Sequence, residues 1–425
     1  MNKEEIRKNI HELIEKFFSG QNSPFIPGQT FIGVSFPCYD HHEVSSAVDT
    51  LLDLRLSQGP KVKEFEQGFS RYIGTDFGVA VNSGSSANLL ALAALLRNNV
   101  IKKGSEVILP AATFATVVSP VLQSGLIPVF VDVDEETYNI SPQAIEKAIN
   151  KNTGLIMVVH SLGCPANIEE IMAIANKKGI PVMEDCCEAH GTTVHHKKVG
   201  SFSLLSTFSF FVAHNITSGE GGMVLTNDKA LNKTLRSLRE FGRLMEHPPN
   251  SPRFYYSDEH LKEYDERYVF DNIGYNVRMT DIHASLGIEQ LKKIDALNEI
   301  RIRNAAHYTK ALSKYSQYLQ LPKIPGGALH SFYTYPIIIK ENAPFNRTKL
   351  VRYLEDHKIE TRAIMGGDLS KQPAFRSENI KIADDLKNTK RVLTHGFFIG
   401  CHPKIDQQQL TYITSVFDNF FKNEI

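Results

Sequence analysis

The chain carries no excess of charge of either sign: 47 Lys and Arg stand against 47 Asp and Glu among 425 residues. Proteins that grip nucleic acid or anionic membrane surfaces concentrate cations, so neither partner is expected. No apolar run reaches the length needed to span a bilayer. The opening Met-Asn-Lys-Glu-Glu-Ile-Arg-Lys is followed by no apolar signal-peptide core. Cysteine is scarce: Cys38, Cys164, Cys186, Cys187 and Cys401 show no disulfide-framework spacing. Internal repeats and low-complexity segments are also lacking. These absences predict a reduced, cytoplasmic enzyme. Its length and 42% hydrophobic content suffice for a large core and two domains.

Ile6, Ile10, Leu13, Ile14 and Phe17 recur at helical spacing and predict an N-terminal helical arm, residues 1–33, closed by the Pro- and Gly-containing stretch Gln21 to Gly33. Short apolar runs then predict strands at 77–81, 106–109, 127–131, 155–159, 180–183, 204–209 and 222–226. Helical patterns lie between them at 86–97, 114–123, 142–149 and 168–177. This alternation implies an α/β fold with a mostly parallel sheet. Residues 281–314 read as one long helix leading into a smaller α+β domain. The expected division is therefore a large domain over 34–290 and a small one over 291–425. Residues 244–271, rich in Pro, Tyr, Asp, Glu and Arg, lack periodicity and read as a long loop, either a solvated insertion or a cover for the substrate.

Four short segments carry chemistry. Val81-Asn-Ser-Gly-Ser-Ser-Ala-Asn88 joins a strand to a helix. Its small residues let an anion approach the free N–H groups of a helix start, although such turns also serve as plain caps. Phe114, in Ala-Ala-Thr-Phe-Ala-Thr, suits either stacking on a flat ring or core packing. Asp185, in Met-Glu-Asp-Cys-Cys-Glu-Ala-His-Gly, sits at a strand's C-terminal end, where it could hold a protonated ring nitrogen or simply cap a turn. The fourth segment is Ser209-Phe-Phe-Val-Ala-His214-Asn-Ile-Thr-Ser-Gly-Glu-Gly-Gly222. His190, His195 and His196 tempt a metal reading, but no ligand spacing supports one, and turn or surface roles are expected. No metal site is predicted.

In their order and separations these segments resemble the DegT/DnrJ/EryC1/StrS family of sugar aminotransferases and dehydratases. The resemblance runs from about residue 30 to the C-terminus. It implies pyridoxal-phosphate (PLP) transferase fold type I: a large domain with a mixed, mostly parallel sheet, a small α+β C-terminal domain, and a homodimer. By the same resemblance Gly84, Ser85, Ser86 and Ser209 belong to the cradle of the cofactor phosphate. Phe114 would stack on the ring, Asp185 would hold its nitrogen, and Glu188 would lie on its 3-oxygen side. Gly274-Tyr-Asn-Val-Arg-Met-Thr-Asp281 matches a segment that reaches across the dimer, so that Asn276 would meet the neighbouring subunit's cofactor phosphate. Arg278 and Arg362 are candidates for a glutamate carboxylate or a nucleotide diphosphate, and equally for surface ion pairs.

One position departs from the aminotransferase pattern. Where that family has the lysine that holds the cofactor covalently, this chain has His214. An imidazole moves protons but forms no stable imine. Lys197 and Lys198 do not occupy the loop position. The family's histidine-bearing subgroups are 3-dehydratases of nucleotide-linked 4-keto-6-deoxyhexoses. The resemblance thus implies non-covalent pyridoxamine phosphate (PMP), with His214 as base. The N-terminal helix and Thr361-Arg-Ala-Ile-Met-Gly-Gly-Asp-Leu-Ser-Lys-Gln-Pro373 are similar to the ascarylose-pathway type, which carries an iron–sulfur cluster and needs a reductase. His395-Gly-Phe-Phe-Ile-Gly400 fits either that type or the glutamate-driven colitose type. Three cluster ligands of the former fall in the segment matching 244–271, which holds no cysteine here. Only Cys187 matches a ligand position. A cluster wants four ligands, so none is expected, and L-glutamate is the expected electron source. A reductase-coupled dehydratase, an aminotransferase with an unusual base, and an inactive binding protein of the same fold are the competing readings. The nucleotide (GDP, CDP or dTDP) stays open.

Overall fold

The computed structural model describes residues 1–20, 24–244 and 259–425. An N-terminal helix, α1 (Lys3–Ser19), is capped by Asn2 with a reciprocal bond from Glu5 and buries none of its residues. It is tethered to the body by Arg7 to Asp49 and Asp53, and by His11 to Asp49. Helices α2 (His41–Leu52) and α3 (Pro60–Ile73) follow, neither among the expected elements. The proline at the start of α3 suits a first helical turn, where its missing N–H costs nothing.

The main sheet is built from β1 (Phe77–Val81), β2 (Glu106–Pro110), β3 (Ile127–Val131), β4 (Thr153–Val159) and β5 (Val182–Asp185). A small hairpin, β6 (Thr193–Val194) and β7 (Lys197–Lys198), precedes β8 (Leu205–Ser209) and β9 (Gly222–Thr226). These strands read as continuous apolar runs because helices cover both faces of a mostly parallel sheet. Intervening helices are α4 (Gly84–Arg97), α5 (Ala115–Gln123), α6 (Pro142–Ala148), α7 (Ile168–Lys178) and, after β9, α8 (Lys229–Arg239). Among the described residues the sheet has the order β1-β9-β8-β5-β4-β2-β3, with one further edge strand from the C-terminal region. Only β9 runs antiparallel to its neighbours. The fold is thus the mixed, mostly parallel α/β arrangement expected.

The long helix expected over 281–314 is two helices, α9 (Asp281–Leu291) and α10 (Ile294–Leu312). No glycine or proline marks the break. Lys293 at the junction turns its ammonium to Asp40 and to the buried Glu43 of α2, at 2.7 and 2.8 Å, and Gln290 also donates to Glu43. This tertiary clamp interrupts a segment whose local pattern is continuous.

Beyond α10, a four-stranded antiparallel sheet packs against α10, α11 (Arg347–Asp356) and the C-terminal helix Gln407–Asn423, over a second core. Its strands are β10 (Leu319–Gln320), β12 (Tyr335–Ile339), β13 (Thr361–Ala363) and β15 (Gly396–Ile399). Between them come β11 (Ala328–Leu329), which joins the β6–β7 hairpin, and β14 (Lys381–Ile382), which adds to the edge of the large sheet beside β3. Helices α12 (Lys387–His395) and α13 (Gln407–Asn423) close the chain. No helix among the described residues is long and apolar enough to cross a membrane.

Candidate active site

Open α/β sheets place ligands at the carboxyl ends of their strands. Here the ends of β1, β2, β4, β5 and β8 surround one cavity of about 450 Å³. Gly84, Ser85, Phe114, Asp185, Glu188, Ser209 and His214 all line it, although they span 130 residues of sequence.

At the end of β1, Ser83 caps α4 by accepting the Ser86 N–H at 3.1 Å, and its hydroxyl also meets that of Ser86. Ser86 is thus engaged in the cap and does not line the cavity, whereas Gly84 and Ser85 do. The crossing of α4 with β8 is close: a Cβ on Gly84 would lie 2.6 Å from Cβ of Ser209. Free helix N–H groups, Ser85 and Ser209 together make a cradle suited to a phosphate. Phe114 heads α5 and is 57% exposed, so the fold leaves its ring uncovered at the cavity rather than in the core.

Asp185, the last residue of β5, is 4% exposed. Its carboxylate accepts the Asn88 amide at 2.8 Å and the Cys187 N–H at 3.0 Å. Asn88 is itself fixed by the Thr207 hydroxyl at 2.7 Å and by donating to the Thr116 carbonyl. A buried carboxylate held, among the described residues, by two neutral donors and no cation suits a protonated ring nitrogen as its counter-charge. Asn88 stood at the end of the helix-start motif without a role. Only the packing of α4 on β5 and β8 gives it one.

Glu188 accepts the Leu162 N–H at 2.7 Å, and burial pushes its pKa up to about 8, with Asp185 adding to the effect. It is therefore mostly protonated at neutral pH in the cofactor-free chain. The linkage has a definite sign. The unfolded carboxyl ionises near 4.5 and the folded one near 8, so stability from this group is full below 4.5 and lost as pH rises to about 8. Replacing Glu188 with Gln is expected to remove that loss. In chemical denaturation of cofactor-free protein, the wild type should weaken between pH 5 and 8 by on the order of a few kcal/mol relative to the variant. Parallel curves would refute the burial argument.

His214 sits in a turn, its N–H donating to the Phe211 carbonyl. The next residue anchors the loop: Asn215 is buried and donates to Asn298 of α10 at 2.8 Å. Burial, with the Arg301 guanidinium adding, pushes the His214 pKa down to about 3. The imidazole is thus neutral at ordinary pH in the cofactor-free chain. Among the described residues its buried Nδ1 has no partner. Among the described residues that line the cavity there is no lysine. The cradle, the uncovered aromatic, the carboxylate short of a cation and the orphaned imidazole fit pyridoxal or pyridoxamine phosphate held without a covalent link.

Besides Ser86, three sequence candidates lie outside the cavity. Asn276 and Arg278 run beside the end of β1, where the Asn82 N–H donates to the Val277 carbonyl at 2.9 Å. Arg278 donates to the Asn276 side chain at 3.1 Å and covers the Phe241 ring. Arg362 is exposed and engaged with Glu360 at 2.5 Å. Of the histidines, His195 and His196 form the β6–β7 turn with φ of 47° and 66°, which two-residue hairpins favour. His190 departs from the turn-or-surface expectation: it is fully buried among Phe69, Phe208, Phe210 and His214. Cys186 is core, whereas Cys187 lines the cavity. Tyr333, which the sequence did not single out, lines it as well. Of the 244–271 loop, residues 245–258 lie outside the described residues.

Comparison with known proteins agrees with this geometry. The profile of the DegT/DnrJ/EryC1/StrS aminotransferase family matches residues 37–418. The lipopolysaccharide biosynthesis protein RfbH of Salmonella typhimurium is 36% identical over 98% of this chain and 98% of its own. The dTDP-4-dehydro-2,6-dideoxy-D-glucose 3-dehydratase of Saccharopolyspora spinosa is 38% identical over 97% of this chain and 92% of its own. Among solved structures, a GDP-4-keto-6-deoxymannose-3-dehydratase with a trapped PLP-glutamate geminal diamine superposes with a TM-score of 0.83. It is 30% identical and covers 91% of this chain and 99% of its own. The chain belongs to the DegT/DnrJ/EryC1/StrS aminotransferase family, whose cofactor is pyridoxal 5′-phosphate.

Proposed function

We propose that this protein is a PMP-dependent 3-dehydratase that removes the C3 hydroxyl of a nucleotide-linked 4-keto-6-deoxyhexose and draws its electrons from L-glutamate. The observation that carries the reading is His214: a neutral imidazole, its Nδ1 without a partner among the described residues, in a cofactor-sized cavity whose described lining holds no lysine. Relatives named as 3-dehydratases of dTDP- and GDP-linked sugars support the reaction class. The neighbour trapped with a PLP–glutamate adduct supports glutamate as co-substrate.

Bound pyridoxamine phosphate supplies the amine that joins the sugar's C4 and a ring that draws the electrons of the breaking bonds. The chain's own residues do the rest. Gly84, Ser85 and Ser209 hold the phosphate, Phe114 fixes the plane of the ring, and Asp185 keeps its nitrogen protonated. Glu188 faces the 3-oxygen side as a hydrogen-bonding carboxyl. His214 takes a proton from the cofactor's amine-bearing carbon, and an imidazole that starts neutral is ready to do so. In a homodimer, Asn276 would meet the partner's cofactor phosphate. Arg278 and Arg362 remain candidates for the glutamate carboxylate or the diphosphate once their present neighbours are exchanged.

The test is turnover of GDP-, CDP- and dTDP-4-keto-6-deoxyhexoses with PLP and glutamate and no reductase, read by mass spectrometry. The expected product is lighter by one oxygen, with 2-oxoglutarate and ammonia formed alongside. An amino sugar would make the enzyme a transaminase. Turnover only with an added reductase, together with stoichiometric iron, would overturn the glutamate route.

A further inference from the structure

Tyr333 has no part in the chemistry described so far, yet the fold places it with care. Its ring centroid lies 5.2 Å from that of His214, tilted by 44°. The segment that carries it is held in a costly conformation. Phe332 has φ 47°, in the left-handed region that non-glycine residues avoid. The Phe332 ring stacks on His330 at 3.7 Å, and its N–H donates to His330 Nδ1 at 3.0 Å. On the other side the Arg301 guanidinium, 2% exposed, donates to the carbonyls of Tyr333 and Phe332 at 3.0 and 3.5 Å. The Tyr333 N–H donates to the Leu162 carbonyl at 3.0 Å, and the Leu162 N–H is the donor that holds Glu188. A buried cation, a strained residue and a backbone bond thus converge to set one side chain against the base.

The phenol itself is uncommitted: among the described residues its hydroxyl makes no hydrogen bond, and the residue lines the cavity. Burial and the nearby Glu188 carboxyl push its pKa upward, so it remains protonated and presents a donor.

We propose that Tyr333 is a catalytic acid of the dehydration half-reaction, its hydroxyl donating to the sugar's C3 oxygen as the C3–O bond breaks. The inference rests on the dehydratase reading above. Hydroxide leaves poorly unless it is protonated, and one imidazole that has just accepted a proton on the cofactor side is not placed by necessity at C3 as well. With two groups the balance closes. His214 accepts the proton from the amine-bearing carbon. The C3–O pair departs with the oxygen, the phenol proton completes water, and the imidazolium returns its proton to the phenolate beside it. The glutamate half-reaction expels no hydroxyl and needs no such acid.

The experiment compares the two halves separately in Tyr333→Phe, which keeps the ring and removes only the oxygen. Conversion of the PLP form by glutamate is followed by absorbance and 2-oxoglutarate release. Dehydration is followed in single turnovers of the PMP form with whichever of the three nucleotide sugars the wild type consumes. The expected result is dehydration slowed by roughly 10²-fold or more with the glutamate half unchanged. Equal slowing of both halves would mark Tyr333 as packing for His214 and overturn the proposal, as would no slowing of either. A wild type that makes an amino sugar without losing the hydroxyl would sink the dehydratase reading itself, a failure visible before any variant is made.

Discussion

Replacement of His214 by asparagine is expected to slow dehydration and the glutamate half-reaction together, by roughly 10²–10⁴-fold, while cofactor still binds. The reasoning starts from what the imidazole touches. It lines the cavity that holds Asp185, Ser209 and Phe114, and its buried Nδ1 has no partner among the described residues. Asparagine keeps a polar side chain of similar reach but cannot accept a proton at neutral pH. Phosphate, ring and nitrogen contacts come from other residues, so the bound cofactor spectrum should persist. The same logic predicts that borohydride traps no cofactor on the wild type, since no lysine lines the cavity among the described residues. An asparagine variant with near wild-type rates in both halves would remove His214 from the mechanism.

Asp185→Asn should have the second large effect, on cofactor affinity and on rate. The carboxylate is 4% exposed and receives two neutral donors, the Asn88 amide and the Cys187 N–H. Among the described residues no cation pairs with it, and a protonated ring nitrogen would supply one. Breaking such a buried pair costs about 3–5 kcal/mol, corresponding to roughly 10²–10⁴ in affinity or rate. An asparagine NH₂ group turned toward Asn88 would also set donor against donor. Titration of cofactor-free protein with PLP, followed by absorbance, measures the affinity. Unchanged binding and unchanged turnover would show that Asp185 serves only to tie α4 to β5.

Some features of this protein depend only on neighbours in sequence, and these were legible. The strands at 77–81, 127–131 and 222–226 coincide with β1, β3 and β9, because runs buried on both faces are apolar throughout. The segments bearing Gly84, Phe114, Asp185 and His214 announced themselves by local composition at strand ends. The His214 substitution, visible as a single letter, separates this chain from the lysine-bearing aminotransferase pattern. What lay beyond the sequence depends on contacts between distant segments. The break between α9 and α10 is set by Lys293 meeting Asp40 and Glu43, more than 200 residues away, and no local signal records it. Asn88 gains its role only where α4 crosses β5, and His190 is core only because three phenylalanines from α3 and the β8 region enclose it.

By itself, then, the sequence determined the α/β class, the family resemblance and the histidine that stands in place of the family's lysine, since periodicity and motif order are properties of the chain read in line. The tertiary structure alone decided which candidates meet. It gathered seven of them into one cavity, drew Ser86 into a helix cap and left Asn276, Arg278 and Arg362 outside. It also set Tyr333 against His214 from 119 residues away. The physical reason is that burial and close approach shift proton affinities and free or engage polar groups, and both are properties of packed neighbours rather than of sequence neighbours.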